Sequence, residues 1–325
     1  MNIVMASDSN YVDLLCTAIT SLLENNKVAE QINIYLINDH ISDAYINEID
    51  TLIQRYQRNI FYLNPPVINA NIQVKGNLNI STYYRLFLSE LLPGDIDRVL
   101  YLDCDVIVRG DITELYNSKM NDCYVAGVLD TTGRYSRLSI GLNEEDDYVN
   151  AGILLINLAA WRSTHLQERY IEYISSMSWK VEYNDQGVIN KVCNGKIQIL
   201  PPKYNCMVPY QRYSADQIKT VMDRRINPYN EEEYLRAKNN PVIVHFAGYA
   251  FSRPWFEGAN NKYSDEFKHY GEISGITCKK RQQPISVKYL VRKSVNYLPS
   301  GLCIWCNRTI DRVYQLQQEQ TRKNQ

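Results

Sequence analysis

The sequence predicts an α/β protein with a mostly parallel central sheet and helices on both faces. Short β-branched runs alternate with amphipathic helical patterns along most of the 325 residues. The apolar runs are short and continuous, which is typical of strands buried on both faces. In such sheets ligands bind beyond the carboxyl ends of the strands, so polar residues that follow strands are the candidate functional residues.

The individual elements follow from apolar spacing and from turn residues. Ser81 is expected to cap the third helix, and Pro93 and Gly94 to end it. Helices are predicted where apolar residues recur every three or four positions, over 11–23, 44–56, 81–91 and 158–177. Strands are predicted over 2–6, 32–37, 59–63, 98–102, 106–108, 149–157 and 242–246, with 106–108 extending the strand before it beyond a break.

Composition limits the classes of protein to consider. The net charge of −1 argues against a surface that binds nucleic acid. The first residues lack the basic and apolar segments of a signal peptide, and no stretch approaches the ~18 apolar residues of a membrane-spanning helix. The sequence therefore predicts a cytoplasmic protein whose eight cysteines are reduced thiols. Cys303 and Cys306 form a lone CxxC, for which a chance spacing on a helix is favoured over a zinc or redox site.

The composition changes near the end of the chain. No acidic residue occurs over 273–310, where seven lysines and arginines are interleaved with aromatic and aliphatic residues. Such a segment suits the surface of an anionic membrane, and a solvated tail or a helix packed on the domain are the alternatives. We therefore expect a main domain over 1–272 and a basic, mainly helical extension over 273–325. The extension predicts peripheral contact with the inner face of the cytoplasmic membrane.

Two carboxylates follow the strand predicted over 98–102. Asp103 and Asp105 are two positions apart, so in an extended chain their side chains project to the same side. This arrangement suits a hard divalent cation, and Mn²⁺ or Mg²⁺ held there would neutralise a diphosphate as it leaves. Two aspartates at this spacing often occur by chance. The alternative is therefore a turn in which the aspartates hydrogen-bond the backbone.

Polar residues also follow the first predicted strand. Asp8 and Asn10 could bind a base or a ribose through their side chains, and Tyr11 could stack on a base. The same residue types are normal at helix starts, which is the structural alternative. The chain has no GxGxxG or GxxxxGK[ST] motif, and this argues against Rossmann dehydrogenases and P-loop NTPases.

Amide and carboxyl side chains mark two further junctions. Asn150 and Ala151 begin a predicted strand, and Asp185 and Gln186 open a short helix. Such groups bind hydroxyl-rich ligands, although Asp185 could serve only as a helix cap. Arg85 lies in an otherwise apolar and aromatic helical stretch, where the alternatives are a surface position and contact with a phosphate or sugar.

Taken together and in order, these motifs resemble glycosyltransferase family 8, in particular its bacterial lipooligosaccharide galactosyl- and glucosyltransferases. The resemblance runs from Asn2 to about Trp255. It implies the GT-A fold, with a Rossmann-like sheet, and a retaining hexosyltransferase whose nucleotide-sugar-binding catalytic domain is 1–272. The motifs are Ala-Ser-Asp-x-Asn-Tyr, Tyr-Tyr-Arg, Leu-Asp-x-Asp, Asn-Ala-Gly, Asn-Asp-Gln and His-Phe-x-Gly.

The resemblance also implies roles for individual residues. Asp103, Asp105 and His245 would bind Mn²⁺, with Mg²⁺ as the alternative ion, whereas His245 taken alone would be expected to be a packed imidazole. The nucleotide and its diphosphate would be held by Ala6, Asp8, Asn10, Tyr11, Asp103, Cys104 and Gly248. The donor sugar would be surrounded by Arg85, Asn150, Ala151, Asp185 and Gln186.

Two positions depart from the family pattern. Cys104 stands where another aspartate or a small polar residue is usual. Arg253 stands before Pro254 and Trp255 where a lysine is usual, and the loop before it is about two residues longer. Because guanidinium binds phosphate well, Arg253 can make the phosphate contact if it reaches the site.

The resemblance implies transfer of a hexose from UDP-glucose or UDP-galactose to an acceptor hydroxyl. Front-face attack, with Gln186 stabilising the oxocarbenium-like centre, is favoured over a covalent intermediate on Asp185 or Gln186. The acceptor, a cell-surface glycan, a glycolipid or a protein, is expected over 130–147 and 203–238. The alternatives are a metal-dependent sugar nucleotidyltransferase and a catalytically degenerate UDP-sugar-binding protein.

Overall fold

The computed structural model describes residues 1–69, 71–74, 79–284 and 286–323, and it confirms the α/β class with a mostly parallel central sheet. The strands are β1 Asn2–Asp8, β2 Asn33–Asp39, β3 Asn59–Leu63, β4 Arg98–Leu102, β5 Val106–Val108, β6 Val125–Leu129, β7 Val149–Asn157, β8 Ile197–Ile199 and β9 Ile243–His245. Seven of these described strands form one sheet in the order β3-β2-β1-β4-β7-β6-β8, and β5 pairs with β9 in a second sheet.

Helices cover the sheet and form the end of the chain. They are α1 Val12–Asn25, α2 Asp43–Arg55, α3 Leu88–Leu91, α4 Thr113–Tyr116, α5 Arg134–Ser139, α6 Leu158–Ser163, α7 Leu166–Ser176, α8 Asn184–Val192, α9 Val208–Arg212, α10 Ala215–Met222, α11 Glu231–Asn239, α12 Ser264–Ser274, α13 Val287–Asn296 and α14 Ser300–Lys323. Helix α1 is buried over 12–23 and packs against β5 and α12. Burial of each large apolar side chain contributes on the order of 1.5–3 kcal/mol, so α1 anchors the helices around it.

The first half of the central sheet is parallel, as predicted. β1 pairs in parallel with β2 and β4, and β2 with β3. Ala6 lies opposite Ile37, and Asp8 lies opposite Asp39. The polar residues after the first strand therefore lie at the carboxyl edge of the sheet, where ligands bind in folds of this kind.

Strand β7 runs antiparallel to both of its neighbours, β4 and β6. Leu102, which ends β4, pairs with Ile153, and the backbone N–H of Asp103 donates to Gly152 O at 2.8 Å. Because the two strands run in opposite directions, the start of β7 lies beside the end of β4. The Asn150 and Asp103 motifs therefore meet at one edge of the sheet.

The strands predicted over 106–108 and 242–246 do not extend the central sheet. They pair with each other, so that Val106 lies opposite His245. The chain bends at Cys104 and Asp105, which redirects it out of the plane of β4. This pairing brings the end of β9 next to the two aspartates.

Two predicted helices differ from those in the structure. The segment predicted over 81–91 is a 3₁₀ helix, Ile80–Phe87, followed by the short α3. Its cap is Asn79, whose side chain accepts from Ile80 N, and not Ser81. Threonine and aromatic residues disfavour the α-helix here, and the tighter turns orient Arg85 inward.

The helix predicted over 158–177 is two helices, α6 and α7. It breaks at His165, which adopts a left-handed conformation with φ 51°. Arg162 donates to the carbonyl oxygens of Ile96 at 2.7 Å and Pro93 at 2.9 Å, so the end of α6 is bound to the turn before β4. Two short strands, β6 and β8, were not predicted, since five and three residues carry little periodic signal.

The segment predicted as the extension contacts the rest of the molecule. Arg212 donates to Leu298 O at 3.0 Å, and the Tyr213 hydroxyl lies 3.3 Å from the Cys303 sulfur. Tyr289 is buried against Phe251. None of the helices in the described ranges is both long and apolar enough to span a membrane.

Candidate active site

Three potential metal ligands meet where β4 ends and β9 ends. The ligand atoms of Asp103, Asp105 and His245 lie within 4.8 Å of one another. His245 Nε2 lies 3.1 Å from Asp105 Oδ1 and 4.0 Å from Asp103 Oδ2. Two carboxylates and an imidazole are a donor set that divalent first-row metals accept. The arrangement agrees with the metal site that the sequence predicted.

The ring orientation of His245 is set by an asparagine. His245 Nδ1 lies 3.0 Å from Asn205 Oδ1, so a proton on Nδ1 would be donated to that oxygen and Nε2 would face the carboxylates. A hydrogen bond to the second ring nitrogen is how metal-binding histidines are commonly oriented. Asn205 is fully buried and was not identified from the sequence, because it lies on a loop without a recognised motif.

Asp103, Asp105 and His245 together are called the metal corner below. The electrostatics of this corner favour positive charge between the three side chains. Burial alone would lower the pKa of His245, but Asp105 and then Asp103 raise it overall. Burial would raise the pKa of Asp105, yet the charge and hydrogen bond of His245, together with Arg253, lower it to about 2. A corner that stabilises an imidazolium between carboxylates also suits a divalent cation.

Gly152 permits the close approach of these side chains. A Cβ atom at this position would lie 2.4 Å from His245 Cε1 and 2.6 Å from Asp103 Oδ2. Both distances are shorter than any real Cβ contact, so any other residue would displace these two candidate metal ligands. This explains the glycine of the Asn-Ala-Gly motif, for which the sequence alone indicates no role.

Arg85 is buried and joins the metal corner to the helix at 184–192. Its Nη2 lies 3.0 Å from Asp103 Oδ1, and its Nε lies 3.0 Å from Asp185 Oδ2. Its guanidinium also donates to Ala151 O and lies over the ring of Tyr101, 4.2 Å from the centroid. Arg85 is 5% exposed, so the surface alternative is wrong. Burial raises the pKa of Asp185 to about 6, against the opposing effect of Arg85.

Gln186 belongs to a hydrogen-bonded network at the start of β7. Its Oε1 accepts from Ala151 N at 3.0 Å and Asn150 Nδ2 at 3.2 Å, and its Nε2 donates to Asp130 Oδ2 at 3.2 Å. Asn150 Oδ1 accepts from Asn205 Nδ2 at 2.9 Å. The network therefore continues to the asparagine that orients the imidazole. Asp130, whose pKa is raised by burial, was not selected from the sequence.

The loop after β1 lies at the same edge. Asp8 Oδ1 accepts from Asn10 N at 2.8 Å, so this carboxylate shapes the turn as the structural alternative expected. The Cys104 thiol donates to Ala6 O at 3.2 Å, which ties the last residues of β1, just before this loop, to the metal corner. Tyr11 is 47% exposed, which leaves its ring accessible to a base.

The longer loop does bring Arg253 to the metal corner. Its Nη2 lies 4.0 Å from Asp105 Oδ2, and its Nε is buried without a hydrogen-bond partner among the described residues. Gly248, at the start of this loop, has φ 136°, a backbone conformation that residues other than glycine rarely adopt. The guanidinium is thus placed where a phosphate bound to the corner could contact it.

A cleft of about 1080 Å³ opens beside these residues. Its lining includes Asp130 and Gly248, which belong to the site described above. Another part of the lining is formed by α14, including Trp305 and Arg308, and is called the α14 wall below. The segments predicted to carry the acceptor, 130–147 and 203–238, both contribute to the lining.

Known proteins resemble this chain in sequence and in fold. The model of Glycosyl transferase family 8 matches residues 2–259. A lipopolysaccharide 1,2-glucosyltransferase of Escherichia coli is 30% identical over 282 residues, 84% of this chain and 78% of the relative. General stress protein A of Bacillus subtilis is 26% identical over 275 residues, 83% of this chain and 92% of the relative. The crystal structure of the galactosyltransferase LgtC with donor and acceptor sugar analogues has a TM-score of 0.71 at 23% identity, covering 90% of this chain and 99% of that chain.

Proposed function

The chain belongs to Glycosyl transferase family 8 and is a hexosyltransferase of the GT-A fold, and from this premise we propose its donor, metal and acceptor. It transfers glucose or galactose from a UDP-sugar to a hydroxyl of a cell-surface glycan or glycolipid, with retention at the anomeric carbon. The observation that carries the proposal is the convergence of Asp103, Asp105 and His245 with Arg253 beside them. A relative named for lipopolysaccharide glucosylation supports an acceptor of that type.

Asp103, Asp105 and His245 are the residues that would hold the metal ion. The imidazole favours Mn²⁺ over Mg²⁺, because Mg²⁺ prefers oxygen ligands and keeps its waters. When bound, the ion would neutralise charge on the diphosphate leaving group. Arg253 contributes a second positive charge to the same phosphates, with its guanidinium directed at the corner.

The donor is assigned to the loops around this corner. Asp8, Asn10 and Tyr11 contact the uridine, beside Ala6 and Cys104, and Gly248 lets the backbone approach the diphosphate. Arg85, Asn150, Ala151 and Asp185 surround the sugar. Arg85 pairs with Asp185 and donates to Ala151, and Asn150 donates to Asp130, so these groups are held in place, which lowers the cost of orienting the donor.

Front-face attack is the mechanism that the contacts favour. Asp185 is paired with Arg85, and a carboxylate neutralised in this way is a poor nucleophile. The Gln186 Oε1 accepts two hydrogen bonds, from Ala151 and Asn150, and an amide is a weak nucleophile in any case. Its dipole is thereby fixed, as required of a group that stabilises a developing oxocarbenium-like charge.

The acceptor binds in the cleft that reaches from Asp130 to α14. The acceptor hydroxyl enters beside the network of Asn150 and Gln186, and the more distant part of the glycan lies against the helical wall. Aromatic groups such as Trp305, 66% exposed on that wall, suit the apolar faces of sugar rings.

The extension provides a surface for an anionic membrane. Exposed apolar residues on α13, on α14 and between them occur in a segment whose charges over 273–310 are all positive. Those that do not line the cleft are Val287, Leu290, Val291, Tyr297, Leu298 and Leu302. The test is sedimentation with vesicles containing anionic lipid, comparing the full chain with a Leu290→Ser, Leu302→Ser double variant. Equal binding by both proteins, or none by the wild type, would exclude membrane contact through this surface.

The function is tested with UDP-sugars and no acceptor. The protein is incubated with UDP-glucose or UDP-galactose plus Mn²⁺, Mg²⁺ or EDTA, and UDP release is measured. We expect slow hydrolysis of one of the two donors that depends on the metal. Binding without turnover would instead support a degenerate sugar-nucleotide-binding protein. Pyrophosphate release from UTP and a sugar phosphate would support a nucleotidyltransferase.

A further inference from the structure

Residues 279–281 belong to the segment predicted as a separate extension, yet they run along the candidate donor site. Arg281 forms an isolated parallel bridge with Phe256. Its backbone N–H donates to Trp255 O at 2.8 Å, and its carbonyl accepts from Glu257 N at 3.0 Å. The backbone of Arg281 therefore supports the end of the loop that carries Arg253.

The side chain of Arg281 crosses to the loop after β1. Its Nη1 and Nη2 contact the two carboxylate oxygens of Asp13 at 3.2 and 3.0 Å, and Nη2 donates to Asn10 O at 2.7 Å. The guanidinium carbon lies over the ring of Tyr11, 5.6 Å from its centroid. A bidentate pair of this kind fixes both the position and the orientation of the guanidinium.

Asp13 is itself held by the chain on both sides. Its Oδ2 accepts from Lys279 N at 3.0 Å, and its Oδ1 accepts from Leu14 N at 2.9 Å. The Asp13 side chain is 8% exposed, and that of Arg281 is 25% exposed. The ion pair is thus a fixed joint between the start of α1 and residues 279–281, unlike a solvated surface pair.

We propose that Arg281 is a positioning residue for the donor nucleotide. It fixes the position of the Tyr11 ring relative to the loop that carries Arg253. One nucleotide can then contact Tyr11 with its base and Arg253 with its diphosphate. The role rests on the proposed UDP-sugar donor, and Arg281 acts through these neighbours. Without it, the half-exposed Tyr11 must be ordered when the nucleotide binds, which costs affinity.

Calorimetric titration with UDP and with UMP, in the presence of Mn²⁺, tests the proposal. We expect Arg281→Gln to weaken both nucleotides about tenfold, as for the loss of a hydrogen bond to a charged group. Arg281→Lys retains the positive charge but cannot form the bidentate pair with Asp13, so we expect its loss of nucleotide affinity to be intermediate. For donor hydrolysis, KM rises by the same factor while kcat changes less than about twofold, because the interaction precedes the chemical step.

Two further variants separate this role from others. Arg253→Ala is expected to weaken UDP more than UMP, since its proposed contact is with the diphosphate. Arg55→Gln is the matched control, because Arg55 also binds the C-terminal part of the chain, through Ile273 O at 3.1 Å and Ser274 O at 2.5 Å. It lies away from both loops, so we expect unchanged nucleotide affinity.

The outcomes distinguish this proposal from the one on which it rests. If the wild type binds neither UDP nor UMP, the proposed donor is wrong and this role is excluded with it. If the wild type binds both and Arg281→Gln binds equally well, only the positioning role is wrong. Equal losses of affinity and of melting temperature in Arg281→Gln and Arg55→Gln would also overturn it. If Arg281→Gln does not fold, Arg281→Lys is measured in its place and decides by the same criteria.

Discussion

The metal corner and the α14 wall of the cleft are built in different ways. In the corner, Asp103 is held by Arg85 and His245 by Asn205, and both of these partners are buried. On α14, Trp305 is two-thirds exposed. The residues of the corner are therefore fixed before a substrate binds, whereas the wall can adjust to what lies against it.

The difference agrees with the role proposed for each region. Charge that develops in a reaction is stabilised by groups already in place, and a displacement of about 1 Å can cost a hundredfold in rate. An acceptor of several sugar units is bound by many weak contacts, few of which dominate. Substitutions in the corner should therefore be far more costly for catalysis than substitutions on the wall.

The largest effect is expected for Asp105→Asn. The change removes the negative charge of one proposed metal ligand, which lies 3.1 Å from His245 Nε2. We expect kcat/KM for metal-dependent UDP release to fall about 10³-fold, comparable to losing a principal charge-stabilising group. A variant that kept wild-type activity and wild-type dependence on Mn²⁺ would show that the corner is not the metal site.

A steric change in the corner is expected to be nearly as costly. Gly152→Ala places a Cβ 2.6 Å from Asp103 Oδ2, so the ligand must move. We expect a loss of about 1–3 kcal/mol in the free energy of unfolding and about 100-fold in activity. Gly94→Ala is the matched control, since a Cβ there meets nothing within 4 Å. Equal effects of the two substitutions in denaturant melts and hydrolysis assays would refute the explanation.

The pH dependence of the free energy of unfolding tests whether Asp185, a buried group beside the corner, is held as the structure indicates. Burial raises the pKa of Asp185 to about 6 from its ordinary value of 3.8, so the folded protein retains a proton that the unfolded chain releases. The stabilisation is complete below pH 3.8 and is lost as pH rises through about 6. A shift of this size corresponds to about 3 kcal/mol. Urea unfolding at several pH values should show a steeper decline in the wild type than in Asp185→Asn, and identical slopes would contradict it.

The smallest effect is expected on the wall. Arg308 pairs with Asp223 at 2.7 Å, with both side chains partly exposed. Arg308→Gln should change the free energy of unfolding by less than about 1 kcal/mol and leave donor hydrolysis unchanged. A large loss of hydrolysis in this variant would break the comparison, because the wall would then be part of the reaction site.

Features that depend on residues close together in the chain could be predicted from the sequence. The strand end before Asp103 and the strand start at Asn150 were recognisable because apolar runs and polar junctions lie next to each other in the chain. The family resemblance then supplied the role of His245, which its own surroundings did not indicate. Membership in the family and the overall fold class are confirmed, and the roles of single residues stay predictions.

Features that depend on contacts between residues far apart in the chain could not be predicted from the sequence in this way. The β5–β9 pairing joins three-residue strands that are far apart in the chain, and neither strand has a periodic pattern of its own. Asn205 and Asp130 lie on loops, where a polar residue is expected whether or not it has a role. For Arg85 the surface alternative stayed open, because the 3₁₀ geometry that turns it inward was not predicted.

The ion pair between Asp13 and Arg281 also has a consequence for synthesis of the chain. These residues are 268 positions apart. At about 5–20 residues per second, a ribosome needs roughly 13–54 seconds to add the arginine after the aspartate. During that interval the loop after β1 has been synthesised but its ion pair with Arg281 cannot form, so a nascent chain is expected to reach the proposed nucleotide affinity only after residue 281 has been added.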